Sequence, residues 1–209
     1  VERDLNAISA ENSDLVEEIA DWADAQGVML ALKTHLPPGR GMAKLLKQGR
    51  AVGHATYRDP REIALSLVDH GAEMKAQGLD PIRFRDLNAP RDSADLIERQ
   101  LGVLDRWEKL PDIVLWYYDD FAFDTDGAFD RLARQTGLAP LSAAERKAFN
   151  DRSGTKFNKA VRHRWKTDLS ADDSAWFQDR FAPFYSRLRM RRLSWKSRAL
   201  WSVAKRVVR

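Results

Sequence analysis

The chain has 209 residues, of which 44% are hydrophobic and 32% are charged, a length and balance that predict one medium-sized globular domain with a proper core. Its formal net charge of +4 favours an anionic partner, without choosing between nucleic acid, a membrane surface and a phosphorylated cofactor. The absence of cysteine excludes disulfides, thiolate metal sites and a cysteine nucleophile. No apolar run approaches a membrane span and no secretory signal is visible, so we expect a cytoplasmic protein.

The first third of the chain predicts helices that alternate with two strands. Residues 1–27 have the apolar spacing of a helix, and the apolar run at residues 28–32 is typical of a strand buried on both faces of a parallel sheet. A short basic helix around residues 42–48 leads to a second strand, at residues 51–57. Pro60 suits the first turn of the helix that follows, because a proline there removes no hydrogen bond.

The rest of the chain repeats this alternation. An amphipathic helix at residues 93–109 precedes a third strand, at residues 113–118. A helix with a glycine stop follows at residues 129–137, and residues 141–145 have the pattern of a capping box. Another helix begins at residues 169–173. Strands that alternate with helices predict an α/β protein with a three-layer, doubly wound parallel sheet and a helical C-terminal portion.

Polar residues follow the predicted strands at positions suited to chemistry. Lys33, Thr34 and His35 end the first strand, and ligands of open α/β sheets bind outside the carboxyl ends of the strands. Arg58 ends the second strand and Ser66 lies on the next helix, so a helix start, a guanidinium and a hydroxyl together favour an anion. Taken alone, this second segment is better explained as an ordinary βα turn with a surface arginine.

Four segments of the sequence carry recognisable motifs. Residues 32–37 read LKTHLP, and residues 57–62 read YRDPRE with Ser66 beyond them. Residues 116–121 read WYYDDF, and residues 165–170 read WKTDLS. In their order and spacing these segments resemble the sulfotransferase family that uses 3′-phosphoadenosine 5′-phosphosulfate (PAPS). The segment at residues 165–170 is the weakest of the four matches. That resemblance implies a parallel sheet like that of the P-loop kinases.

The resemblance also implies a reaction and roles for individual residues. A sulfuryl group would pass in line from PAPS to an acceptor hydroxyl or amine, with no metal ion. His35 would act as the base, and Lys33 would stabilise the leaving oxygen. Arg58 and Ser66 would bind the 3′-phosphate of PAPS, and Tyr118 would border its adenine. From the basic segment at residues 151–164, one or two of three residues would complete the phosphate site: Lys159, Arg162 and Arg164.

Three of these residues also have a structural explanation. His35 would cap a buried strand, Lys33 would be a solvated lysine at a strand end, and Tyr118 would pack in the core. The family's glycine-rich phosphosulfate loop has no counterpart before Val28, where the only glycine is Gly27. Because the sequence does not begin with methionine, we expect this loop to lie upstream; without it, half of the cofactor cradle would be absent.

Two other classes of function stay open. The net positive charge and the basic segments suit a module that binds nucleic acid or another polyanion, although no nucleic-acid reader motif is present. A P-loop kinase would need a GxxxxGK(S/T) loop upstream of the sequence.

The expected organisation is a sulfotransferase-like domain at residues 1–190 and a basic amphipathic tail at residues 191–209. The tail suits an anionic membrane surface at the inner face of the membrane, and equally suits docking on the domain or on a partner protomer of a homo-oligomer. The acceptor stays open among small molecules such as phenols, lipids, glycans and peptides.

Overall fold

The computed structural model describes residues 13–79, 84, 86–152 and 161–188. Within them the fold is mixed α/β and mostly helical, with one small two-stranded parallel sheet. The chain divides into two compact units. The first contains the described residues of Val1–Asp59 and Ala94–Arg162, and the second contains those of Pro60–Ser93 and His163–Arg209.

The described helices and strands follow one another in this order: α1 (Ser13–Gln26), α2 (Arg40–Lys47), β1 (Gly53–Tyr57), α3 (Pro60–Ala76), a short 3₁₀ helix (Pro90–Ser93), α4 (Ala94–Glu108), β2 (Ile113–Tyr117), α5 (Tyr118–Ala122), α6 (Thr125–Thr136), α7 (Ala143–Arg152), α8 (Trp165–Asp168) and α9 (Ala171–Arg180). Residues 182–188 also have helical backbone. The first unit holds both strands with α1, α2 and α4 to α7, and the second holds α3, α8, α9 and the 3₁₀ helix.

The sheet consists of β1 and β2, which run parallel and pair without an offset. Gly53 lies opposite Ile113, and Tyr57 at the other end lies opposite Tyr117, with 5.4 Å between the ring centroids of the two tyrosines. Helix α4 contacts both strands. Because parallel strands end at the same edge of a sheet, the residues that follow Tyr57 and Tyr117 become neighbours.

The predicted strand at residues 28–32 is wrong. The structure gives these residues no strand, and the side chains of Val28, Met29 and Leu30 are 45%, 58% and 45% exposed. An apolar run becomes a strand only where a neighbouring strand satisfies its backbone, and the structure places no strand beside this run within the described residues. The α/β class is confirmed, whereas the three-layer, doubly wound arrangement stays a prediction.

Several predicted helix ends are confirmed with their mechanisms. Pro60 is the first residue of α3. Ser142 and Glu145 form the capping box of α7: the backbone N–H of Ser142 donates to Glu145 Oε2 at 2.8 Å, and the N–H of Glu145 donates to Ser142 Oγ at 3.3 Å. Gly137 ends α6 with a φ of 71°, the left-handed conformation that glycine adopts without strain.

Each unit has its own buried side chains. In the first, Val16 of α1 packs against Leu45 of α2. In the second, Phe177 of α9 is fully buried and stacks on Phe181 at 5.8 Å between ring centroids. The predicted boundary at residue 190 and the tail of residues 191–209 lie outside the described residues. No helix in the part of the chain that the structure describes is both long and apolar enough to cross a membrane.

Candidate functional site

A cation and an aromatic ring meet at the carboxyl end of the sheet. Arg58 follows β1 and Tyr118 follows β2, and the guanidinium carbon of Arg58 lies 4.3 Å from the ring centroid of Tyr118. Both side chains are half-buried, and Phe121 of α5 packs edge-on against Tyr118 at 5.2 Å. A guanidinium over a ring at this distance is a cation–π contact. The in-register pairing of the strands thus brings together two residues that the sequence keeps far apart.

A cleft of about 490 Å³ lies in the first unit, next to the sheet. Lys33, Thr34 and His35 line it together with residues 52–56, which include four residues of β1, and with Trp107 of α4. The predicted catalytic pair, Lys33 and His35, therefore borders the same cavity, and both side chains are exposed.

Two hydrogen bonds hold the segment that carries this pair. Thr34 Oγ1 accepts from the backbone N–H of Leu36 at 3.0 Å, which forms a local turn around His35. The indole Nε1 of Trp107 donates to the carbonyl of Leu36 at 2.9 Å and so fastens the turn to α4. Residues 28–34 have no regular secondary structure. These two hydrogen bonds, instead of the expected strand, therefore position Lys33 and His35 at the cleft.

A second histidine, His54, borders the same cleft. It is exposed at the middle of β1, and its ring stacks on Trp116 at 5.8 Å with an interplanar angle of 19°. Partial burial, and then the positive charge of Arg131, lower the pKa of His54 below its ordinary value and favour the neutral imidazole. His54 belongs to no motif, and the period-two alternation of the strand, which puts it on one face with Thr56, is the only sequence signal that could have found it.

The other predicted phosphate ligands that the structure describes are divided between the two units. Ser66 lies half-buried on α3, in the second unit. Arg162 is exposed, with its guanidinium carbon 4.5 Å from the ring centroid of Phe123, and Lys159 lies outside the described residues.

Arg164 is buried in the second unit with two carboxylates. It pairs with Asp69 at 2.9 Å and with Asp168 at 3.0 Å, and its side chain is 4% exposed. Burial tends to lower the pKa of Arg164, but the hydrogen bonds to Asp168 and Asp69 outweigh it and raise the pKa above its usual value. A guanidinium already neutralised by two carboxylates has little charge to offer a phosphate, so this placement favours a structural role.

Comparisons of the chain with protein-family models, with curated proteins and with solved structures found no match. The grounds for a function are therefore the residues described above and the motifs that contain them. Those residues form two groups in the first unit: Arg58 with Tyr118 at the end of the sheet, and Lys33 with His35 in the cleft.

Proposed function

We propose that this protein is a PAPS-dependent sulfotransferase with a P-loop-kinase-like, doubly wound α/β fold. The observation that carries the proposal is the contact between Arg58 and Tyr118. The two residues belong to different motifs of the resemblance, one expected at a phosphate and the other at an adenine. A common binding site requires these motifs to come together, and the parallel pairing of β1 and β2 supplies that geometry.

The Arg58–Tyr118 pair suits an adenine nucleotide with a phosphate on its ribose. A guanidinium can hold two phosphate oxygens at once through parallel N–H donors. An aromatic ring offers a surface for base stacking, which contributes about 1–3 kcal/mol per base in nucleic-acid complexes. The additional role of Ser66 stays a prediction from the resemblance.

Lys33 and His35 suit the chemical step. When bound, PAPS supplies an activated sulfuryl group. His35, exposed in the cleft, is the group that would take the proton from an acceptor hydroxyl, a contribution of about 10²–10⁴-fold in rate. Lys33 would place positive charge where negative charge develops on the leaving oxygen. The two hydrogen bonds to Leu36 restrict the movement of the segment that carries Lys33 and His35. Holding catalytic groups in a fixed orientation contributes a large part of the rate enhancement of enzymes.

The proposal is tested by calorimetric titration with adenosine 3′,5′-bisphosphate. For Arg58→Ala we expect affinity to fall at least tenfold, because a hydrogen bond to a charged group contributes about 1.5–3 kcal/mol. The matched control is Arg106→Ala, which removes an exposed arginine of α4 and should change affinity less than twofold. Equal affinities for all three proteins would remove the nucleotide-site assignment.

The same titration, repeated at increasing salt, separates this proposal from a polyanion-binding module. A pure polyanion binder loses affinity steeply with salt and does not prefer this nucleotide over adenosine 5′-monophosphate. A preference for the bisphosphate that persists at 0.3 M salt is the result expected of a nucleotide site.

A further inference from the structure

A second cavity, of about 470 Å³, lies against α3, α8 and α9, and all the residues that line it belong to the second unit. Its size is in the range of small-molecule sites. It shares no residue with the cleft of Lys33 and His35 or with the pair of Arg58 and Tyr118. We call it the α9 cavity, and its lining includes Arg61, Trp165, Lys166, Leu169, Ser174 and Ala175.

Arg61 is a buried cation in the wall of this cavity. It is 8% exposed, and its guanidinium carbon lies 3.5 Å from the ring centroid of Trp165 and 5.2 Å from that of Tyr185. The backbone N–H of Trp165 donates to Glu62 Oε1 at 3.2 Å, which holds the residue that carries the first ring. Rings packed against a guanidinium fix its position, so a ligand contacts it through its N–H groups. Fixed N–H groups of this kind suit the oxygens of a carboxylate.

Two serines line the cavity, and they differ in what they offer a ligand. Ser170 Oγ accepts from the backbone N–H of Asp173 at 3.0 Å and donates to Asp173 Oδ2 at 2.7 Å, so its hydroxyl is used in capping α9. Ser174 Oγ accepts from Arg61 Nη1 at 3.3 Å, and a hydroxyl that accepts retains its own proton to donate. A ligand oxygen at Arg61 therefore lies near a second donor.

The charges at the cavity favour an anion. Lys166 lines it as a second cation, and none of the described residues that line it is acidic. The carboxylates close by in the sequence pair with other cations: Asp168 pairs with Arg164, and residues 172–173 pair with Arg91. The lining therefore contributes two positive charges, and the neighbouring negative charges are offset by arginines outside it.

The rest of the lining offers an apolar surface. The side chains of Trp165 and Leu169 are half-buried, so each leaves part of its surface at the cavity. Ala171 and Ala175 add methyl groups from α9. A ligand with an apolar body would remove these surfaces from water, which favours binding.

We propose that the α9 cavity binds a small organic carboxylate, with its charge at Arg61 and Lys166 and its apolar body against Trp165 and Leu169. The hydroxyl of Ser174 donates to one carboxylate oxygen. An inorganic anion such as sulfate would match the cations but would leave the apolar lining uncovered, so the site prefers an organic acid. This binding is independent of sulfuryl transfer, because it uses no residue assigned to the nucleotide or to the reaction.

The test is an NMR titration with benzoate, and with benzamide as an uncharged analogue of nearly the same shape. Benzoate should saturate with a Kd of about 1 mM or tighter and shift the indole N–H of Trp165 and the amide of Ser174. Benzamide should bind at least tenfold more weakly, because it lacks the charge that the two cations attract. Shifts that do not saturate, or equal affinities for the two compounds, would overturn the proposal.

A competition experiment separates this site from the proposed nucleotide site. Benzoate should bind with the same affinity, within twofold, when the protein is saturated with adenosine 3′,5′-bisphosphate. Displacement of benzoate by the nucleotide would show that the cavity belongs to the nucleotide site, and would refute an independent carboxylate site. If the bisphosphate does not bind at all, the proposed function fails, whereas the benzoate titration still decides the present proposal.

Matched variants check the place of binding. Ala175 lines the cavity and Ala144 of α7 does not, and both are exposed. Ala175→Trp should fill the cavity and weaken benzoate at least tenfold, whereas Ala144→Trp should change its affinity less than twofold. Lys166→Gln should weaken benzoate at least threefold without affecting benzamide, and Lys109→Gln, at an exposed lysine outside the cavity, should affect neither. Equal effects of the two tryptophans, or of the two lysine changes, would refute the assignment.

Discussion

Replacing Arg164 by alanine should destabilise the protein without affecting the nucleotide binding proposed above. Arg164 is 4% exposed, while its partners Asp69 and Asp168 are 31% and 36% exposed. Each charge-assisted hydrogen bond contributes about 1.5–3 kcal/mol when shielded from water, and the partial exposure of the carboxylates reduces this to roughly 1 kcal/mol each. Loss of the packed side-chain stem adds about 1 kcal/mol. We therefore expect the free energy of unfolding to fall by about 2–3 kcal/mol.

The assay is urea denaturation followed by circular dichroism, with Arg162→Ala as the control. Arg162 is exposed, and substitution at such sites usually changes the free energy of unfolding by less than about 0.5 kcal/mol. The folded Arg164→Ala protein should still bind adenosine 3′,5′-bisphosphate with wild-type affinity. Unchanged stability combined with a tenfold loss of nucleotide affinity would show that Arg164 serves a phosphate site and that the ion pairs contribute little.

Three further changes test other parts of the molecule. His35→Ala should abolish sulfuryl transfer and leave bisphosphate affinity within twofold, so full turnover in this variant would dismiss His35 as the base. His54 has a lowered pKa, so the unfolded chain binds its proton more readily, and stability should fall as the pH drops below 6.5. The variant His54→Asn should lose part of that pH dependence in denaturation curves at pH 7.5 and 5.5, and an identical slope would contradict the lowered pKa. Ser170→Ala should cost about 1 kcal/mol of stability in the same denaturation assay, because the Ser170 hydroxyl caps α9 by accepting from the N–H of Asp173 at 3.0 Å, and an unchanged midpoint would argue against this cap.

Local signals in the sequence predicted most of the described elements. Helix α3 begins at Pro60, and α6 ends at Gly137. The strands β1 and β2 lie within the predicted ranges, because β-branched and aromatic residues of strands are concentrated there. These features depend on a few neighbouring residues each, so the sequence displays them directly.

Features that depend on distant residues were less predictable. The run at residues 28–32 has the composition of a buried strand, but composition does not provide the neighbouring strand that such a run requires. Arg164 lies in a basic segment, and its partner Asp69 belongs to a helix nearly a hundred residues earlier in the chain. No local sequence pattern predicts an ion pair between residues so far apart. The location of His54 at the cleft was also not predictable from local sequence, because the cleft is formed by α4 and residues 32–35 together with β1.

The exposed apolar run and strand β1 border the same cleft. Leu32, at the end of the run, and Thr56, near the end of β1, both line it, although the run pairs with no strand in the described part of the chain. The position of Lys33 and His35 at this cleft therefore does not require a strand at residues 28–32, because the turn that Thr34 forms with Leu36, and the bond from Trp107 to the Leu36 carbonyl, hold the segment against α4.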